Sequence, residues 1–172
     1  MSYATFLASD APIPHMENPH QQFLSINKAI DKGIAIPKPM LDSSTIDRDK
    51  PSVLLWIDNE DNLGEITITS TERPYYFTDD YGNPPDTDLP CYAELGWTYS
   101  NEWASKLIGF IKNHLENATV VEIWHYWIGD GRDLSKGMKK HSVHMDKLTA
   151  EDLENLFAND SVEHDCIVVW RE

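Results

Sequence analysis

The sequence predicts an α+β fold: an antiparallel sheet with a ferredoxin-like βαββαβ C-terminal part, preceded by a β-hairpin and an irregular N-terminal segment. Three observations carry this. From Cys91 onward strand-like and helix-like stretches alternate in that order, two of them amphipathic and cappable as helices. Residues 53–69 hold two apolar, β-branched runs separated by a polar turn. Residues 1–50 are punctuated by Pro12, Pro14, Pro19, Pro37 and Pro39. At 172 residues the chain suits one domain with a real core. It divides into a Pro-rich cover (1–50), a hairpin (53–69), an acidic loop (71–90) and the βαββαβ core (91–171).

In the N-terminal cover the one helical signal is short. Ser25 supplies a cap, Ile26, Ala29 and Ile30 form an apolar stripe, and Gly33 suits the C′ position. Val53–Ile57 reads as a buried strand, the polar run 58–64 as a turn, and Glu65–Thr69 as the returning strand. Four Pro, one Gly and four Asp make 71–90 a long irregular loop. Residues 91–97 are strand-like. Ser100 or Asn101 then caps a helix whose Trp103, Leu107, Ile111 and Leu115 recur every four residues. Thr119–Ile128 is a strand dense in β-branched and aromatic residues. A Gly-marked loop and a shorter strand near 142–145 follow. Thr149 with Asp152 forms a capping box, opening a helix that packs Leu153, Leu156 and Phe157. Cys166–Trp170 closes the chain as a strand. In this topology the first and last strands of the core are antiparallel neighbours and both helices cover one face, leaving the N-terminal segment to cover the other.

Charge narrows the function. The net charge of −15 comes from two stretches, 42–88 (3 basic, 12 acidic) and 149–172 (1 basic, 7 acidic), while the rest of the chain balances. Gathered charge makes a field that steers a cationic partner, and it opposes nucleic acid as a ligand. The basic stretch Arg132, Lys136, Lys139, Lys140 and Lys147 is Gly-punctuated and reads as a solvated loop. No apolar run approaches the ~20 residues of a membrane span, and the N-terminus has no basic n-region, so a cytoplasmic protein without membrane contact is expected.

Candidate chemistry is sparse. The run 58–64 resembles a calcium loop but has Leu63 where the sharp-turn glycine belongs. His125, His141 and His144 could converge only if their two strands paired, and His141 and His144 would still face opposite sides. Cys91 and Cys166 begin antiparallel neighbours and so sit near opposite ends, which argues against a disulfide and leaves two small buried hydrophobes. No nucleophile elbow, phosphate loop or dinucleotide fingerprint occurs. No catalytic residue, metal or cofactor is expected. Of the aromatics, Trp124 and Trp127 lie three apart on a strand and face opposite sides, one of them the helices.

The acidic segments therefore supply the candidate site. Tyr75, Tyr76 and Tyr81 interleave with Asp79 and Asp80, and Asp86 and Asp88 follow; Asp58, Glu60 and Asp61 crowd the preceding turn. Carboxylates facing Lys and Arg give fast, salt-sensitive association, and tyrosine supplies rigid contact area. A solvated loop that serves only solubility is the alternative.

With Ile46-Asp47-Arg48-Asp49-Lys50-Pro51 leading into the hairpin and Val121-Glu122-Ile123-Trp124-His125-Tyr126-Trp127-Ile128-Gly129 in the core strand, the chain resembles small acidic bacterial proteins, some of them immunity proteins associated with polymorphic toxins. The similarity spans about 100 residues and brings no catalytic or binding residue with it. It implies a stoichiometric inhibitor of a basic toxin, often a nuclease. Three functions stay open: a non-catalytic acidic binding protein, most concretely such an immunity protein; a small-molecule-binding or regulatory α+β domain; and an unrecognised enzyme.

Overall fold

The computed structural model describes residues 2–51, 53–57, 59–72, 87–128, 138–157 and 165–172. The chain forms two compact units, Met1–Glu17 with Gly64–Glu172, and Asn18–Leu63, a division that length alone does not foresee.

The larger unit is built on a sheet of six strands: β1 (Ser2–Ser9), β4 (Thr67–Thr71), β5 (Cys91–Gly96), β6 (Val120–Ile128), β7 (Lys140–His144) and β8 (Cys166–Trp170). Their spatial order is β4-β5-β1-β6-β8-β7, with every pair antiparallel except β7 and β8. Helix α3 (Asn101–His114) joins β5 to β6, and α4 (Ala150–Phe157) joins β7 to β8. The mixed α+β class and the mostly antiparallel sheet are as expected.

The ferredoxin-like order is not what forms. Strands β5 and β8 are separated by β1 and β6, so the first and last strands of the βαββαβ segment are not neighbours. Two differences produce this order: β8 pairs with β6, and the N-terminal segment, expected to be an irregular cover, enters the sheet as Ser2–Ser9 between β5 and β6. Both faces of β1 are buried, with Leu7 on one and Ala4, Phe6 and Ala8 on the other, so it lacks the period-two pattern of a half-exposed strand.

The expected hairpin over 53–69 does not form either. Its first half is β3 (Leu54–Ile57), which pairs with β2 (Gln21–Leu24) in the smaller unit, whereas its second half is β4, paired with β5. The polar turn between them does not fold back to pair its flanks. It is a 3-10 turn, Glu60–Asn62. The outer edge of β4 is met by residues 13–16: Met16 and Ile68 exchange backbone hydrogen bonds of 2.9 and 2.8 Å, and the Ser70 hydroxyl donates to the Ile13 carbonyl. An edge strand so covered cannot template pairing with another chain.

Local signals for the helices are accurate. Ser100 caps α3 by accepting from the Trp103 amide, and Trp103, Ala104, Leu107 and Ile111 are buried. Thr149 and Asp152 bond reciprocally ahead of α4, at 2.8 Å from the Thr149 amide and 3.3 Å from the Asp152 amide. Both helices pack on one face of the sheet, where Leu107, Ile111, Leu153 and Leu156 share a core with Leu7, Val121, Ile123, Ile167 and Val169. On the opposite face Ala4, Phe6, Trp124, Tyr126 and Cys166 form a second cluster. Trp124 therefore points away from the helices.

The smaller unit carries β2, β3, helix α1 (Ile26–Asp31) and a one-turn helix α2 (Lys38–Asp42) that the prolines disguised. Ser25 caps α1 by accepting from the Lys28 amide, and Gly33 follows it at φ +74°, the left-handed conformation expected of C′. Ile26 and Ala29 are buried, but Ile30, the third member of the expected stripe, is exposed.

Candidate interaction surfaces

Of the residues expected to bind a partner, Glu60, Asp61 and Asp88 are described, and all three are exposed. Asp58, Tyr75, Tyr76, Asp79, Asp80, Tyr81 and Asp86 lie outside the described residues. Glu60 and Asp61 sit on the 3-10 turn, which Asn59 caps: its side-chain oxygen accepts from the Asp61 amide and its side-chain nitrogen donates to the Asp61 carboxylate, both at 3.2 Å. Asp88 precedes β5, next to a turn in which the Leu89 amide donates to the Thr87 hydroxyl. Glu60 and Asp61 belong to the smaller unit and Asp88 to the larger.

Two lysines of the larger unit, Lys106 and Lys140, are committed elsewhere. Lys106 Nζ lies 2.9 Å from the buried Glu65 and 4.1 Å from the centre of the Trp103 ring. Lys140 Nζ lies 2.9 Å from Glu122, a carboxylate only 6% exposed that also accepts from Trp124 Nε1 at 2.9 Å. Buried charges persist in this way, paired and hydrogen-bonded. Among the described residues no lysine or arginine pairs with Glu60, Asp61 or Asp88. Lys140, expected in a solvated loop, lies instead on the edge strand β7. Lys139 precedes that strand, and the Lys147 side chain follows it in a 3-10 turn.

One constellation was invisible in the sequence because its members are far apart. Ser9 Oγ lies 2.8 Å from His114 Nε2, with Asp10 adjacent, so residue types alone bring to mind nucleophile, base and acid. The bonds around it join backbone ends. The fully buried Ser9 hydroxyl lies 2.9 Å from the Val120 carbonyl and 3.5 Å from Asp10 Oδ1, as well as beside the imidazole. Asp10 turns to Thr119 and Val120, whose amides donate to it at 3.1 and 3.4 Å. Burial works against ionisation of Asp10, but these bonds outweigh it and hold the carboxyl below its usual range. Burial also lowers the basicity of His114, against the pull of Asp10. The group fastens the end of β1 to the end of α3 and the start of β6.

His125, His141 and His144 do not converge. Strands β6 and β7 are not paired, since β8 lies between them. His125 sits 2.8 Å from the Thr5 hydroxyl, stacks on Tyr3 at 4.3 Å and approaches Phe157 at 4.8 Å. Burial there pushes its pKa down to about 4. His144 lies edge-on to Trp170. Among the described residues no group of three His, Cys, Asp or Glu side chains is placed to hold a metal ion. Both cysteines are free. Their strands are three ladder spacings apart, about 14 Å, which separates them for a different reason than the antiparallel neighbourhood expected. Desolvation, reinforced by Glu122, pushes the Cys166 thiol up, so it is an inert core group.

One apolar feature has no signature in the sequence. In the smaller unit Leu55, Trp56, Ile57, Asn59, Glu60 and Leu63 line a hollow of about 160 Å³. Phe23 pairs with Leu55 across the β2–β3 ladder, and Phe23, Leu55 and Leu63 are 62%, 55% and 64% exposed.

No helix among the described residues is long and apolar enough to cross a membrane. Compared with family models, curated proteins and solved structures, the chain matches none.

Proposed function

We propose that this chain is a non-catalytic acidic binding protein that engages a basic macromolecule in the cytoplasm, most concretely a bacterial immunity protein that antagonises a basic toxin such as a nuclease. The observation that carries the proposal is the division of labour among its carboxylates. Glu65 and Glu122 are buried and neutralised by lysines, whereas Glu60 and Asp61 on a turn and Asp88 ahead of β5 stand exposed without a cation among the described residues. Exposed, unneutralised carboxylates are what steers a cationic partner and speeds its encounter.

The test is kinetic. The immobilised chain captures its partner from the native host, the partner is eluted by a salt gradient, and association rates are then measured from low to high salt. The wild type is compared with a variant carrying Glu60→Gln, Asp61→Asn, Asp79→Asn, Asp80→Asn, Asp86→Asn and Asp88→Asn. The wild-type rate should fall steeply as the Debye length shrinks from ~10 Å at 0.1 M to ~3 Å at 1 M salt. The variant should be slower and less salt-sensitive. Equal rates with equal salt slopes would reduce these acids to a solubility device.

A further inference from the structure

The geometry points to the β2–β3 hollow as the apolar anchor point of that same acidic surface: it takes a large apolar side chain that the basic partner carries between lysines or arginines. This rests on the proposed function and adds to it the chemistry of the partner's contact segment. The hollow is walled by Leu55, Trp56, Ile57 and Leu63, and Phe23 extends its apolar rim through the ladder pair with Leu55. Single exposed apolar residues are ordinary, but three large ones joined by a strand pair and a shared hollow form a patch of the kind that marks an interaction surface. Its volume of about 160 Å³ is close to the ~150 Å³ that accommodates a benzene ring in an apolar cavity. One side chain fits; a whole peptide does not.

Charge complementarity decides what carries that side chain. Glu60 lines the hollow itself and Asp61 is exposed beside it on the same turn, while Lys32, 5.1 Å from the centre of the Trp56 ring, donates to Gln22. A leucine, phenylalanine or tryptophan flanked by cations would bury its side chain while its neighbours meet these carboxylates. The same side chain flanked by acids would be repelled. An apolar centre within a charged rim is also how binding energy concentrates in protein interfaces.

The test uses the full chain and three capped hexapeptides: two leucines between pairs of lysines, the same peptide with serines for leucines, and the same with glutamates for lysines. Backbone amide shifts are followed during titration. The leucine–lysine peptide should shift Leu55, Trp56, Glu60 and Leu63 and bind about tenfold tighter than the serine version, the scale of burying one large apolar side chain. The Leu55→Ser, Leu63→Ser double variant should erase that preference and Glu60→Gln should weaken binding; both change exposed positions and should keep the wild-type melting temperature. Equal affinity for the serine and leucine peptides would overturn the anchor while leaving the acidic reading intact. No shift at the hollow with any peptide would also overturn it, and the salt-dependent kinetics with the whole partner would then judge the acidic reading separately. Concentration-dependent dimerisation of the chain alone, abolished by Leu55→Ser, would assign the hollow to a second copy and overturn the proposal.

Discussion

The helix-covered face of the six-stranded sheet packs largely through aliphatic side chains, Leu7, Val121, Ile123, Ile167 and Val169 against Leu107, Ile111, Leu153 and Leu156, with Trp103 among them. On the opposite face the packing is aromatic and ionic. Phe6 stacks on Trp124 with ring centres 5.8 Å apart, Tyr126 meets both edge-on, and Lys140 lies over Trp124 while reaching Glu122. The two faces teach different lessons about burial. Aliphatic packing is non-directional and scales with area. The aromatic face holds polar atoms that must each find a partner, so its geometry is more tightly specified.

The largest expected effects come from truncating one side chain on each face. Trp124→Ala should destabilise by about 3–5 kcal/mol, since it opens a cavity beside Phe6 and removes the indole donor from buried Glu122. Leu107→Ala on the helix-covered face should cost about 2–5 kcal/mol. Urea titrations of both variants check this. A loss below about 1 kcal/mol for Trp124→Ala would mean that the aromatic face is not a packed core.

How much of this was legible depends on whether the signal was local. Ser100 three residues before the Trp103 amide, Thr149 with Asp152, and Ser25 with Gly33 are short-range chemistry, and each helix end sits where its residues place it. Pairing partners are not local. Ala4, Phe6 and Ala8 are buried on one face of β1 and Leu7 and Ser9 on the other, so the strand shows no clear alternation and resembled a loose end although it occupies the middle of the sheet. Misplacing β1 misplaces β8, because the two strands compete for position beside the rest of the core. The site followed the same rule. Glu60 and Asp61 were readable as turn acids and Asp88 as a loop acid, whereas the hollow depends on Phe23 meeting Leu55 across a ladder that no local pattern announces.

The next effect tests the ionic half of the contrast. Lys140→Met removes the cation from Glu122 and leaves a buried carboxylate with the indole as its remaining assigned donor. A fully buried pair would lose more, but Lys140 is partly exposed and water screens the change, so about 1–3 kcal/mol is expected. Adding Glu122→Gln should recover part of that loss by removing the stranded charge. A double-mutant cycle in urea measures the coupling. Strict additivity would show that the pair is not energetically linked.

The smallest effect places a titrating group on the helix-covered side. His125 points to that face, among Thr5, Tyr3 and Phe157, and burial lowers its pKa to about 4, against ~6.5 for an unfolded imidazole. Between these values the unfolded chain binds a proton that the folded chain refuses. Stability from this residue is therefore complete above pH 6.5, falls as the pH drops toward 4, and levels off below. The limiting slope is about 1.4 kcal/mol per pH unit for a wholly buried group. The partial exposure of His125 reduces the expected loss to about 1 kcal/mol at pH 5. His114, also depressed by burial, adds a loss of the same sign, while protonation of the surplus surface carboxylates relieves self-repulsion and acts in the opposite direction. The useful quantity is thus a difference between variants. His125→Phe keeps an aromatic ring against Tyr3 and Phe157 but cannot titrate, so its urea midpoint should drop less between pH 7.5 and pH 5 than that of the wild type. Because both proteins share His114 and the same surface charge, those contributions cancel in the comparison. Identical drops would mean that His125 is protonated as readily in the folded chain as in the unfolded one, and that the helix-covered face admits water at this end of the sheet.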